Sequence, residues 1–108
     1  MILTLLILIN MARVQPLQET PQMDRLATER AITLCKNNQW SHLGWKDSFK
    51  NSTSTYIGEN LAKGFISDQF SHLALMNSPT HKANIINPKF KQLGIGKACG
   101  ITVELFSN

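Results

Sequence analysis

The stretch from Gln92 to Phe106 constrains the fold of this chain most. Gln92-Leu93-Gly94-Ile95-Gly96 and Ile101-Thr102-Val103-Glu104-Leu105-Phe106 both alternate, the period of strands with one buried face. Cys99-Gly100 between them reads as a tight turn, so the two segments predict a terminal antiparallel hairpin. Upstream, the pattern changes to helical spacing. Thr20-Pro21 is a cap followed by a first-turn proline. Met23, Leu26, Ala27, Ala31 and Leu34 then recur at intervals of three and four, with Arg30 outside the apolar face. This helix is expected to run to about Lys36 and stop at Asn37-Asn38. Helices first, a short strand in the middle and a hairpin last describe an α+β domain of packed layers.

The middle of the chain is less regular. Lys50 to Thr55 is a run of small polar residues and reads as surface loop. Tyr56-Ile57 restores β-type residues, so a short strand is expected to deliver Glu59. Ser67 caps a short helix whose inner face is expected to carry Phe70, Leu73, Ala74 and Met76, leaving His72 exposed. Ser78-Pro79 starts another helix, which ends at Asn87-Pro88.

The apolar run Ile2 to Ile9 has no Lys or Arg before it and no small-residue cleavage site after it. It also falls well short of the about 20 apolar residues of a bilayer span. We read it as a buried first helix reaching about Val14, with Leu5 and Leu8 in the core, and expect no transmembrane span.

With 108 residues and neither repeat nor composition break, the chain is expected to form one domain over residues 1–108. A hydrophobic fraction of 43% against 17% charged places it among globular sequences. The net charge is +4, but the basic residues are scattered from Arg13 to Lys97. Lys82, Lys89 and Lys91 form the one local cluster, without interleaved aromatics, so no nucleic-acid partner is expected. Cys35 and Cys99 leave two readings open, a pair across the fold or two inert thiols. Cys35, mid-helix, reads as a packing cysteine.

Two stretches carry chemistry. Gly58-Glu59-Asn60-Leu61-Ala62 sets a lone carboxylate with no basic neighbour until Lys63, so its ionic partner must come from elsewhere. Ser78-Pro79-Thr80-His81-Lys82-Ala83-Asn84-Ile85 places His81 in the first turn of a helix. His42 follows a helix end in Trp40-Ser41-His42. Two imidazoles and a carboxylate converging on one cleft could bind a divalent metal or exchange protons. A carboxylate between imidazoles would raise the pKa of one of them. Ser41 is a poor nucleophile candidate, because chain neighbours seldom point at each other. A bland alternative stands beside these: His42 and Glu59 simply tie loop to strand, with His81 capping the cleft.

In this order, Trp40-Ser41-His42, Gly58 to Ala62, Asn77 to Ile85, Leu93-Gly94-Ile95-Gly96 and Val103-Glu104-Leu105-Phe106 resemble the CAP superfamily. That superfamily takes its name from cysteine-rich secretory proteins, antigen 5 and pathogenesis-related 1 proteins, and the compact bacterial, SCP-like branch is the nearest in pattern. Ile9-Asn10-Met11-Ala12-Arg13 is similar to its first helix and the segment from Pro16-Leu17 to Ala31 to its second. The resemblance implies an α-β-α sandwich with a small antiparallel sheet between helical layers. It also implies a cleft of two histidines and two acids, holding zinc or another divalent cation in some members. His42, Glu59 and His81 match three of these positions. The second acid falls near Asn77-Ser78, where neither residue is acidic, so a triad is expected. Thr80 stands where a glycine is usual, and Leu75 where a tryptophan is usual.

Two functions follow from the resemblance. One is a monomeric extracellular or cell-envelope binding module without turnover, its cleft taking a metal or a small-molecule, lipid or peptide ligand. The alternative is a hydrolase in which metal held by His42, Glu59 and His81 activates water. A structural role in an assembly is a third expectation. Export is implied although the chain starts at its first helix, the pattern of a piece of a longer precursor or of release by another route.

Overall fold

Residues 4–108 are described by the computed structural model; the start of the apolar run, Ile2 and Leu3, lies outside the described residues. The elements in chain order are α1 (Leu5–Met11), β1 (Gln18–Glu19), α2 (Pro21–Lys36), a 3-10 helix (Trp45–Phe49), β2 (Ile57–Lys63), α3 (Asp68–Met76), α4 (Pro79–Ile86), β3 (Gln92–Ala98) and β4 (Ile101–Ser107). One four-stranded sheet runs β1-β3-β4-β2. The terminal hairpin forms as expected, with Leu93 opposite Phe106 and Cys99-Gly100 at its turn. β2 pairs antiparallel to β4, setting Glu59 opposite Leu105 and Asn60 opposite Glu104. The sheet is nevertheless mixed, because β1 pairs parallel to β3. Two residues carry too little periodicity to announce a strand, so β1 had no sequence signature.

α2 covers one face of the sheet. Met23, Ala27, Ala31 and Leu34 pack there with Leu61, Ile101, Val103 and Leu105. The close approach depends on Gly94 and Gly96, where an added Cβ would collide with the α2 backbone at Met23 and at Ala27–Thr28. The other face holds Ile9, Leu17, Leu75, Ile85, Phe90, Leu93 and Phe106 beneath α1, α3 and α4. Helix starts follow their caps: Thr4, Thr20 and Ser67 each accept a backbone N–H three residues on.

Several expectations change here. α1 ends at Met11 rather than near Val14, and Leu5 and Ile9 are its buried residues while Leu8 is half-buried. α1 is then clamped from outside its own turn. Asn10 exchanges two hydrogen bonds with the Leu17 backbone, and the Arg13 guanidinium donates to the carbonyls of Ile85, Asn87 and Phe90. α3 is rotated relative to its apolar pattern. Phe70 and Leu73 are more than half exposed, whereas Ser71, His72 and Leu75 are buried. Docking between the sheet and α1 decides that face, and small Ser71 permits the approach; one residue of helix turns a side chain through about 100°. Burial lowers the His72 pKa. Cys35 is no plain packing cysteine: it is disulfide-bonded to Cys99, with Cα atoms 5.9 Å apart. The last turn of α2 lies over the hairpin turn, a proximity that no spacing in the sequence discloses.

Candidate functional site

The two motif stretches interlock through their amides. At Gly58 an added Cβ would stand 2.9 Å from the Phe90 ring and 3.0 Å from Asn84 Oδ1. Only a glycine lets α4 and Phe90 close over the strand beside Glu59. Asn84 Nδ2 donates to the Glu59 carbonyl at 3.2 Å and to Asn60 Oδ1 at 2.9 Å. Asn60 Nδ2 returns the link, donating to the His81 carbonyl at 3.1 Å and to Glu104 Oε1 at 3.2 Å. Asn60 is fully buried, so these bonds replace water it has lost. The two asparagines therefore fix α4, and with it His81, against β2.

His42, Glu59 and His81 line one open cleft of about 410 Å³, together with Trp45, Thr80 and Asn84. Within it Glu59 is held from two sides. Arg30 Nε donates to Oε2 at 2.8 Å and Nη2 to Oε1 at 3.4 Å, while His42 Nδ1 lies 2.8 Å from Oε1. The Glu59 side chain is 1% exposed and that of Arg30 5%, so this is a buried ion pair. The position of Arg30 corrects the sequence reading, which set it outside the apolar face of α2. Its guanidinium also donates to the carbonyls of Ser41 and Leu43, on either side of His42. Arg30 thus supplies the missing ionic partner of Glu59 and clamps the loop that carries His42. Two signals pointed to it: Glu59 had no local cation, and Arg30 sits three residues after Ala27 on the buried stripe.

The imidazoles are oriented differently. A carboxylate only accepts hydrogen bonds, so the His42–Glu59 contact places a proton on His42 Nδ1. His81 Nδ1 meets Ser78 Oγ at 2.8 Å, and Ser78, though at the N-cap of α4, makes no cap bond. The hydroxyl serves the imidazole instead of the helix. Both rings keep Nε2 without a protein partner among the described residues. His81 has a lowered pKa, through burial and then the neighbouring charge of His42. This ring gains no upward shift from the carboxylate, because Glu59 is engaged by Arg30 and His42 and not by His81. The Ser41 hydroxyl accepts from Gln39 Nε2 and the Leu43 amide, and makes no bond to His42.

Among the described residues, no three His, Cys, Asp or Glu side chains form a metal-holding group. Both Glu59 oxygens already have partners, which removes the carboxylate as an easy ligand. The ring atoms left without a protein partner are the two Nε2 atoms, with Glu59 behind His42 and Ser78 behind His81 as orienting groups.

The family model of the cysteine-rich secretory protein (CAP) family matches residues 8–101. The chain belongs to the CAP family. It is 31% identical over 90 residues to the Bacillus subtilis protein YkwD, an overlap of 76% of this chain but 35% of that one. An extracellular SCP-domain protein of Bacillus anthracis superposes with a TM-score of 0.89 at 22% identity, over 96% of this chain and 39% of that one. A cysteine-rich secretory protein of Staphylococcus aureus gives 0.81 at 15% identity, over 95% and 38%. An outer surface protein of Borrelia burgdorferi gives 0.74 at 26% identity, over 85% and 77%. The chain thus spans little more than a third of YkwD and of the first two structures. No helix among the described residues is long and apolar enough to cross a membrane.

Proposed function

We propose that this CAP domain is an extracellular binding module. Its cleft takes a divalent cation such as zinc on Nε2 of His42 and His81, with positions left for an external ligand. The observation that carries this reading is the double engagement of Glu59. Arg30 and His42 occupy its two oxygens beneath the surface, so it orients an imidazole instead of presenting a free base. A hydrolase would need that carboxylate, or a second acid, at the cleft, and Asn77 and Ser78 supply none. The similarity to an extracellular protein of Bacillus anthracis and an outer surface protein of Borrelia burgdorferi supports the extracellular placement. When bound, the cation would supply Lewis acidity; the chain's own residues orient the two imidazoles and hold the cleft open to solvent.

Zinc titration by calorimetry tests it. Wild type should bind, His42→Ala and His81→Ala should each weaken binding by about 10-fold or more, and affinity should fall as pH drops through the imidazole range, about 6.5. The lowered pKa of His81 keeps that ring neutral, and able to bind, to lower pH. Zinc binding unchanged in His42→Ala would remove the proposed site.

A further inference from the structure

Glu104 is a buried acid without a cation. It lies on the sheet face beneath α1, α3 and α4, fully enclosed, and no ion pair among the described residues includes it. Its Oε2 has no hydrogen-bond partner, and its Oε1 meets a single donor, Asn60 Nδ2, at 3.2 Å. The second N–H of that nitrogen goes to the His81 carbonyl at 3.1 Å. Asn60 Oδ1 accepts from Asn84 Nδ2, which also holds the Glu59 carbonyl. One amide therefore stands between a buried carboxyl group and the first turn of α4, where His81 enters the cleft.

The surrounding elements offer Glu104 no compensation. α1 carries no charged residue. α3 contributes Asp68, already paired with Lys97 of β3, and His72, which burial biases towards its neutral form. On α4, His81 turns its carbonyl to Asn60 and Lys82 is exposed. On β2, Glu59 is engaged with Arg30 on the α2 side, and Lys63 is exposed at the strand's end. Burial, opposed by the Asn60 bond and reinforced by Asp68, pushes the Glu104 pKa up to about 7. Its backbone is held by ladders on both sides, opposite Asn60 on β2 and Ile95 on β3. A change of charge is therefore answered by side chains, first by Asn60. Ionisation strengthens the bond from Asn60 Nδ2, because charged acceptors draw donors closer than neutral ones do. The same nitrogen holds α4. Ionisation also sets a negative charge in the low-dielectric interior behind the two imidazoles.

We propose that Glu104 is a proton switch for the histidine cleft: its ionisation, passed through Asn60 to the first turn of α4, tightens the hold of His42 and His81 on a divalent cation. The effect on affinity rests on the cation-binding reading of the cleft, whereas the link from Glu104 to His81 belongs to the metal-free chain. By linkage, a cation in the cleft draws the proton from Glu104 in return. NMR titration of the metal-free protein reads the link at the Asn60 side-chain amide and the His81 backbone amide. Both should show an inflection near pH 7 in His42→Ala, where no His42 titration overlaps it. The inflection should vanish in His42→Ala/Glu104→Gln, which keeps the Asn60 bond without the charge. Glu19, which titrates in the same range, is retained in both variants. Zinc calorimetry reads the effect on the cleft. Glu104→Gln should bind zinc about fivefold more weakly than wild type at about pH 8, and equally well at about pH 6. No inflection in His42→Ala, or one that persists in the double variant, would overturn the link. An affinity ratio that is the same at both pH values would overturn the switch. If wild type bound no zinc, the cation-binding reading would fall, and the resonances would still decide whether Glu104 reaches His81.

Discussion

Each face of the sheet buries one glutamate, and the two are satisfied in different ways. Glu59, on the α2 face, meets the Arg30 guanidinium and the His42 imidazole. Glu104, on β4 next to the Leu105 that Glu59 faces and on the opposite side of the sheet, finds only the Asn60 amide, and its Oε2 has no partner. Burial pushes the Glu104 pKa up to about 7, with the Asn60 bond working against it and Asp68 adding to it. The comparison teaches what a cation does for a buried carboxyl group. With one, the group becomes a rigid anchor for a site; without one, it lowers its cost by keeping its proton.

The sharpest way to break this contrast is to remove the guanidinium. Arg30→Met should leave Glu59 buried with only the His42 imidazole as partner and cost about 3–5 kcal/mol, read by urea denaturation. Arg30→Met/Glu59→Leu should recover much of that, since it removes both charges together. If the single variant were as stable as wild type, Arg30 would be no anchor. Zinc affinity should fall in both variants, because the Ser41 and Leu43 carbonyls lose their clamp.

The α2 face also has a covalent tie that the other face lacks. The Cys35–Cys99 bridge closes a long loop, so Cys35→Ser/Cys99→Ser should lower stability by about 2–4 kcal/mol. Equal melting of wild type with and without reductant would contradict it.

The smallest effect is conditional on pH. The folded-state pKa of Glu104 is raised, so its contribution to stability is fully present below the unfolded value of about 4.5. It is lost as pH rises towards about 7, and the loss levels off above that. Glu104→Gln is neutral at every pH and keeps the bond from Asn60. It should therefore melt like wild type at pH 4.5 and gain up to about 3 kcal/mol at pH 8. Glu19, raised to about 7 by burial and by Asp24, titrates in the same window, so the reading is the difference between wild type and Glu104→Gln. A constant difference across pH would show that Glu104 is charged throughout.

Local chemistry determined a good part of this protein in advance. Thr20-Pro21, Ser67 and Ser78-Pro79 start helices because caps and first-turn prolines act within a few residues. The alternation through Gln92 to Phe106 yields the hairpin for the same reason. His42, Glu59 and His81 were recognisable as a set from their ordered motifs, and they line one cleft. The rest depends on contacts across the chain. Whether Arg30 points inward is decided by a carboxylate 29 positions away, and the Cys35–Cys99 bridge by a separation of 64. α3 turns Phe70 and Leu73 outward because the fit against α1 and the sheet outweighs its own pattern. The parallel pairing of β1 rests on hydrogen bonds to a strand more than 70 residues later. Propensity and periodicity act over one or two turns of chain, whereas burial, charge compensation and register are settled only when distant segments meet.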